Sequence, residues 1–150
     1  MATINQADTV NIVAGAVNAK IVYTSSVEVR ATALVETQLA SVTFGTQGGY
    51  VKVLFTMQAS TVPGYNGTQF PYASLAVYKL NADGSKTRLN WYGNLYMPNF
   101  GSGGLASISI NAIDTSPPPT GSYYVTVTSN TQGVDVACDG ITLIAENSKV

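Results

Sequence analysis

Few residues in this chain could do chemistry, and their spacing argues against most of it. The sequence contains no histidine. That removes Ser-His-Asp and Cys-His arrangements, imidazole zinc sites and the commonest general base. Carboxylate pairs of the glycosidase kind remain open to it, and Asp114, Asp135 and Asp139 fall in the C-terminal third. Asp114 stands just before Ser116-Pro117-Pro118-Pro119 and Asp139 stands before Gly140. Both are positions where an aspartate bonds the backbone of a turn, so a structural role is expected of each. No calcium loop of the Asp-x-Asn-x-Asn-Gly kind and no phosphate-cradling Gly-Lys-Thr is present. Cys138 is the one cysteine, so no intrachain disulfide forms, and without basic neighbours it reads as a small buried apolar residue. The expectation is a protein that is not an enzyme and has no metal or cofactor.

The surface chemistry points the same way. Charged residues are 10% of the chain, against a usual share of about 25%. Ser, Thr, Asn and Gln together number 47, so the polar surface is mostly neutral and self-repulsion is weak. Such a surface is suited to being covered. The basic residues Lys20, Arg30, Lys52, Lys79, Lys86, Arg88 and Lys149 are scattered singly, and no stripe exists to neutralise phosphates. Nucleic acid is therefore not expected as a partner. No apolar run is long enough to cross a membrane as a helix. The first twenty residues lack a basic start and a continuous apolar stretch, and read as part of the mature protein.

Strand signals position these residues. "SVEVRATALVE" (Ser26 to Glu36) sets Val27 and Val29 against Glu28 and Arg30. "YVKVLFTMQ" (Tyr50 to Gln58) sends Val51, Val53, Phe55 and Met57 one way and Lys52 and Thr56 the other. "SLAVYKL" (Ser74 to Leu80) leads through Asp83-Gly84, a hairpin turn signal, into "TRLNWYGNLYM" (Thr87 to Met97). There Trp91 falls in step with Leu89 and Leu95, which predicts a core position. "LASISINAI", "SYYVTVTS", "VDVAC", "ITLIAE" and a weaker "ASVTF" complete about eight strands. Their spacing with turn residues between them predicts an all-β antiparallel sandwich or barrel. Residues 1–25 are either an N-terminal arm or the first strand, and residues 26–150 are the body. The loop "ASTVPGYNGTQFPYAS" (Ala59 to Ser74) is long and aromatic, a candidate ligand loop through Tyr65, Asn66, Phe70 and Tyr72.

The order of the later motifs resembles a known family. A strand ending in "AIDT", a proline loop, "P-T-G-S-Y-Y-V-T-V", a short polar strand and a final "D-G-I-T-L-I-A-E" resemble the C-terminal part of TNF/C1q-type jelly rolls. They are most similar to the variants in bacteriophage virion proteins. The opening "SVTFGTQGGYVKVLFTMQAS" is similar to the first strands of such domains. The resemblance implies a jelly roll with a short N-terminal arm, and a homotrimer built on a central strand, here Ser122 to Ser129. Tyr123 and Tyr124 with Thr126 and Thr128 are the expected trimer residues; Tyr123 alternates with Val125 and Val127 on one face, Tyr124, Thr126 and Thr128 on the other.

Two functions follow as expectations. The first is a trimeric decoration or cement protein on the capsid surface of a phage virion, with the major capsid protein as partner. Ile4, Val10, Ile12, Val13 and Val17 in the nearly uncharged arm are its expected shell contacts. The second is a carbohydrate-recognising receptor-binding tip, using the aromatic loop and the stretch Asn90 to Phe100. A chain that opens with only a short arm is expected to decorate a shell rather than to tip a fibre.

Overall fold

The computed structural model describes residues 19–62, 65, 71–98 and 104–148, and these contain strands and no helix. In chain order the strands are β1 (Ala19–Ser25), β2 (Val29–Ala31), β3 (Thr37–Gly45), β4 (Tyr50–Thr61), β5 (Tyr72–Leu80), β6 (Lys86–Tyr96), β7 (Ala106–Asp114), β8 (Thr120–Ser129) and β9 (Val136–Ser148). One sheet runs β1-β9-β4-β7, with β2 also pairing β9; the other runs β3-β8-β5-β6. Every pairing is antiparallel. From β3 onward the chain passes between the sheets at every connection except the β5–β6 hairpin. That path is the jelly roll, as the resemblance implied.

Period-two alternation builds the core. Val51, Val53, Phe55 and Met57 of β4 are buried, and Lys52, Leu54 and Thr56 between them face outward. Ile110, Ile141 and Leu143 join them from the same sheet. Leu75, Val77, Tyr123, Val125 and Val127 meet them from the other. The Asp83-Gly84 turn forms as the sequence predicts: Gly84 takes φ +85°, and Asn81 N–H donates to the Ser85 carbonyl at 2.7 Å.

Four local readings are corrected. Only Val29–Ala31 of the Ser26–Glu36 stretch is strand, and Val27 is exposed; among the described residues the outermost strand of the first sheet on this side is β1, Ala19–Ser25. The "VDVAC" and "ITLIAE" segments are one strand, β9, whose register against β4 shifts between Asp139 and Thr142. Asp139 and Gly140 (φ +56°) therefore form a bulge inside a strand rather than a turn between two. Trp91 is 49% exposed rather than core. The register of β6 against β5 shifts on both sides of Trp91, between Val77 and Tyr78 and between Ala73 and Leu75. Each shift places an extra β6 residue in the ladder, so Leu89 and Leu95 turn inward while Trp91 between them turns out.

Asp114 fastens the sheets together. It lies at the end of β7, 2% exposed, and accepts from Tyr123 Oη (β8) at 2.8 Å and from Lys79 Nζ (β5) at 2.8 Å. Its Oδ1 also accepts from Ser116 N–H at 3.0 Å. Lys79 donates further to the Ser116 carbonyl at 3.1 Å. Gly121 is required beside this group: a Cβ there would stand 2.7 Å from the Tyr123 ring. The proline loop beyond Asp114 is held by Thr46, whose N–H donates to the Pro119 carbonyl at 2.9 Å and whose hydroxyl donates to that of Pro118.

Truncating this group has a predictable cost. Asp114→Ala leaves the Lys79 ammonium largely buried without its counter-charge and is expected to destabilise by about 3–5 kcal/mol. Tyr123→Phe removes one bond to a charged acceptor and is expected to cost about 1.5–3 kcal/mol. Urea unfolding of both variants checks the order of the two effects.

Candidate functional site

The outward face of the β3-β8-β5-β6 sheet collects most of the exposed aromatic side chains. Alternation on β8 turns Tyr124, Thr126 and Thr128 outward together, and Tyr124 pairs with Tyr78 of β5 in the ladder. The two rings stack with centroids 5.3 Å apart at 23°. Tyr72 at the start of β5 meets Tyr96 at the end of β6 edge-on, centroids 6.4 Å apart. Between these pairs lies Trp91, opposite Ala76 in the ladder.

Trp91 is placed by its neighbours. Its indole lies over Gly93, where a Cβ would come within 2.2 Å of the ring. Only glycine leaves room for an indole lying flat on the strand. The Arg88 guanidinium lies 5.6 Å from the ring centroid, a cation–π distance.

Glu36 rims the opposite end of the face. Its Oε2 accepts from Thr126 Oγ1 at 2.7 Å and from Tyr78 Oη at 3.0 Å, and Lys86 Nζ stands 3.6 Å from Oε1. Lys86 also lies 4.5 Å above the Tyr78 ring. The Thr126 bond, followed by those from Tyr78 and by Lys86, holds the Glu36 carboxyl below its ordinary range against a smaller opposing effect of burial. Burial first, then the bond to Glu36, raises the Tyr78 phenol.

The expected residues separate on this map. Tyr124 and Thr128 lie half-buried on the face. Thr126 points the same way but is 5% exposed, covered by the Glu36 carboxylate it bonds. Tyr123 points into the core at 0% exposure within the chain; burial and the Asp114 bond raise its phenol far above the usual range. Of the ligand loop, Tyr72 belongs to the aromatic face and Tyr65 is half-buried, its N–H donating to the Val62 carbonyl at 3.2 Å. Asn66 and Phe70 lie outside the described residues, as do Ile4, Val10, Ile12, Val13 and Val17. Sequence reading missed Tyr78, which alternation along β5 turns outward, and Glu36, whose position depends on a turn with no sequence signature.

No group of three His, Cys, Asp or Glu that could hold a metal occurs among the described residues. Burial, with smaller effects of Asp139 and Glu28, pushes the Cys138 thiol up to about 12, away from the thiolate needed for reaction. What the face offers is area: tyrosine, tryptophan and arginine, the side chains most enriched at the energetic centres of protein interfaces.

No protein-family model and no curated protein matches the chain. Solved structures do. A structure of the infectious bursal disease virus Gx strain matches with TM-score 0.54 at 11% identity, over 89% of this chain and 38% of that one. A mutant VP2 protein of the same virus, from T=1 particles, matches with TM-score 0.52 at 13% identity, over 87% and 35%. A VP2 subviral particle matches with TM-score 0.51 at 11% identity, over 89% and 37%. The chain thus spans well under half the length of these proteins. The likeness is one of fold: a jelly roll of the kind viral capsid proteins carry.

Two outcomes are expected. Gly93→Ala displaces the indole from the strand; because Trp91 is the only tryptophan, its emission and iodide quenching report that movement directly. The lowered carboxyl of Glu36 contributes stability that is present above its unfolded value of 4.5 and is lost as pH falls through the lower folded value. Urea midpoints measured from about pH 6 to about pH 3 should therefore fall less in Glu36→Gln than in the parent.

Proposed function

We propose that this chain is a non-enzymatic structural protein of a virion. It assembles as a homotrimer through the outward face of the β3-β8-β5-β6 sheet and decorates the capsid surface. The observation that carries the reading is that face: Tyr124, Tyr78, Trp91, Tyr72 and Tyr96 line one side of a sheet, and Trp91, Tyr72 and Tyr96 are exposed there. The capsid proteins that share the fold and the weakly charged surface support it, because close packing then desolvates few charges.

In this reading Tyr124 lies near the threefold contact, with Thr128 beside it, and Tyr123 serves from beneath by fixing β8. The phage assignment rests on the sequence resemblance to phage virion domains. The apolar arm residues Ile4, Val10, Ile12, Val13 and Val17 are assigned to the major capsid protein, where many copies make weak contacts additive through multivalency.

Light scattering tests the assembly: the parent chain is expected at three times the monomer mass, and Tyr124→Asp at the monomer mass, still folded by circular dichroism but with a lower unfolding midpoint because the Tyr78 stack and the association are lost. A parent chain that stays monomeric at micromolar concentration would overturn the threefold contact. Electron microscopy of virions with and without the protein tests the location. Density over the capsid faces supports decoration, and density confined to the tail rejects it.

A second reading is favoured by Trp91 alone. Two register shifts and a glycine expose one indole beside Arg88, an arrangement able to take a sugar ring and an acidic substituent. Binding of acidic oligosaccharides that disappears in Trp91→Ala, with the oligomer intact, would support a receptor-binding role.

A further inference from the structure

The opposite outer surface, on the β1-β9-β4-β7 sheet, is ordered into three rows that run across the strands. One is hydroxyl: Thr24, Thr142, Thr56 and Ser109. The next is largely apolar: Val22, Ile144, Leu54 and Asn111. The third is Lys20, Glu146, Lys52 and Ile113. Val22, Leu54 and Ile113 are 51%, 43% and 57% exposed. Leu54, Ile113 and Ile144 line a shallow groove of about 400 Å³ with Lys20, Lys52 and Glu146.

The charges are the informative part. Glu146 sits between Lys20 and Lys52 in the ladder, yet no ion pair forms among the three within the chain. An acid flanked by two bases, beside an exposed apolar row, is a pattern complementary to itself.

We propose that this face is a twofold contact between two copies of the chain. Let the axis lie in the interface, parallel to the strands, between β9 and β4. Rotation then carries each β9 over the other copy's β4. Glu146 meets Lys52 of the second copy, Ile144 meets Leu54, and Thr142 meets Thr56, and each contact occurs twice. Lys20 falls over Ile113, where its aliphatic stem covers the most exposed apolar residue of the groove. The operation also sets Val22 over Asn111, an unmatched pair at the margin, while the hydroxyl row and the central pairs of the other two rows match under one rotation, as an isologous interface requires. Four strands about 4.8 Å apart and the seven residues of β1 at about 3.3 Å rise give on the order of 450 Å² per copy, the size of a weak, reversible dimer contact. This contact is independent of the threefold one and uses the other sheet.

The test exploits the exchange of charge. In a Tyr124→Asp background, where the threefold contact is removed, sedimentation should show a monomer–dimer equilibrium. Lys52→Glu or Glu146→Lys should each weaken that dimer about tenfold or more, since each sets like charges face to face. An equimolar mixture of the two variants should dimerise again, because every Glu then faces a Lys across the axis. A partner other than a second copy gives no such rescue, so a mixture that associates no better than either variant alone overturns the proposal. Single variants that dimerise as the parent does overturn it equally. The same mixture made without Tyr124→Asp, read as the mass of the full assembly, gives an independent measurement if that substitution impairs folding. Loss or survival of the trimer in Tyr124→Asp bears only on the threefold contact.

Discussion

The carboxylate of Asp114 is the constraint on which the sandwich depends. It stands at the end of an edge strand, almost without solvent, and binds one partner from each of two strands in the opposite sheet. A charge so placed is tolerable only when paired and hydrogen-bonded. The two bonds therefore fix where β7 lies relative to β5 and β8. They also fix the face of β8: with Tyr123 bound inward, Tyr124 has only the outer side. The proline loop, held by Thr46, starts from the same carboxylate. One ionic group inside thus determines which tyrosine is available outside.

The two outer faces are built on different principles. On the β3-β8-β5-β6 sheet, rings stack on one another and are rimmed by Glu36, Lys86 and Arg88, so much of the polar bonding is completed within the chain. On the β1-β9-β4-β7 sheet, small hydroxyls, aliphatics and charges lie in rows, and those charges form no ion pair among the described residues. The first can supply large contact area from preorganised rings; the second supplies register through alternating charge.

How much of this was legible in the sequence depended on whether alternation was uninterrupted. Along β4 and β8 it runs unbroken, and Phe55 or Tyr123 can be assigned inward from neighbours two residues away. Along β6 it fails, because a register shift changes the side on which every later residue points and has no composition of its own. Trp91 was misplaced for that reason, although Gly93 marked the strand as irregular. Asp114 was legible as a turn residue but not as a buried ion-pair partner, since Lys79 is 35 positions away. Glu36 reaches the aromatic face through tertiary placement alone. The resemblance identified the jelly roll correctly because that inference used the order of strands, which a local shift does not alter.

Strand β9 pairs along its length with β4 and, in succession, with β2 and β1. During synthesis, residues 19–25 must wait for residues 141–147 before their ladder can close, which makes the topology slow to complete. Until β9 inserts, β1 and β4 have bare edges and the charged row of the first sheet lacks its glutamate. Every row of that surface contains a β9 residue, so the surface exists only in chains that have finished folding. Copies caught halfway are excluded from any assembly that uses it, and the fold thereby inspects its own subunits before admitting them.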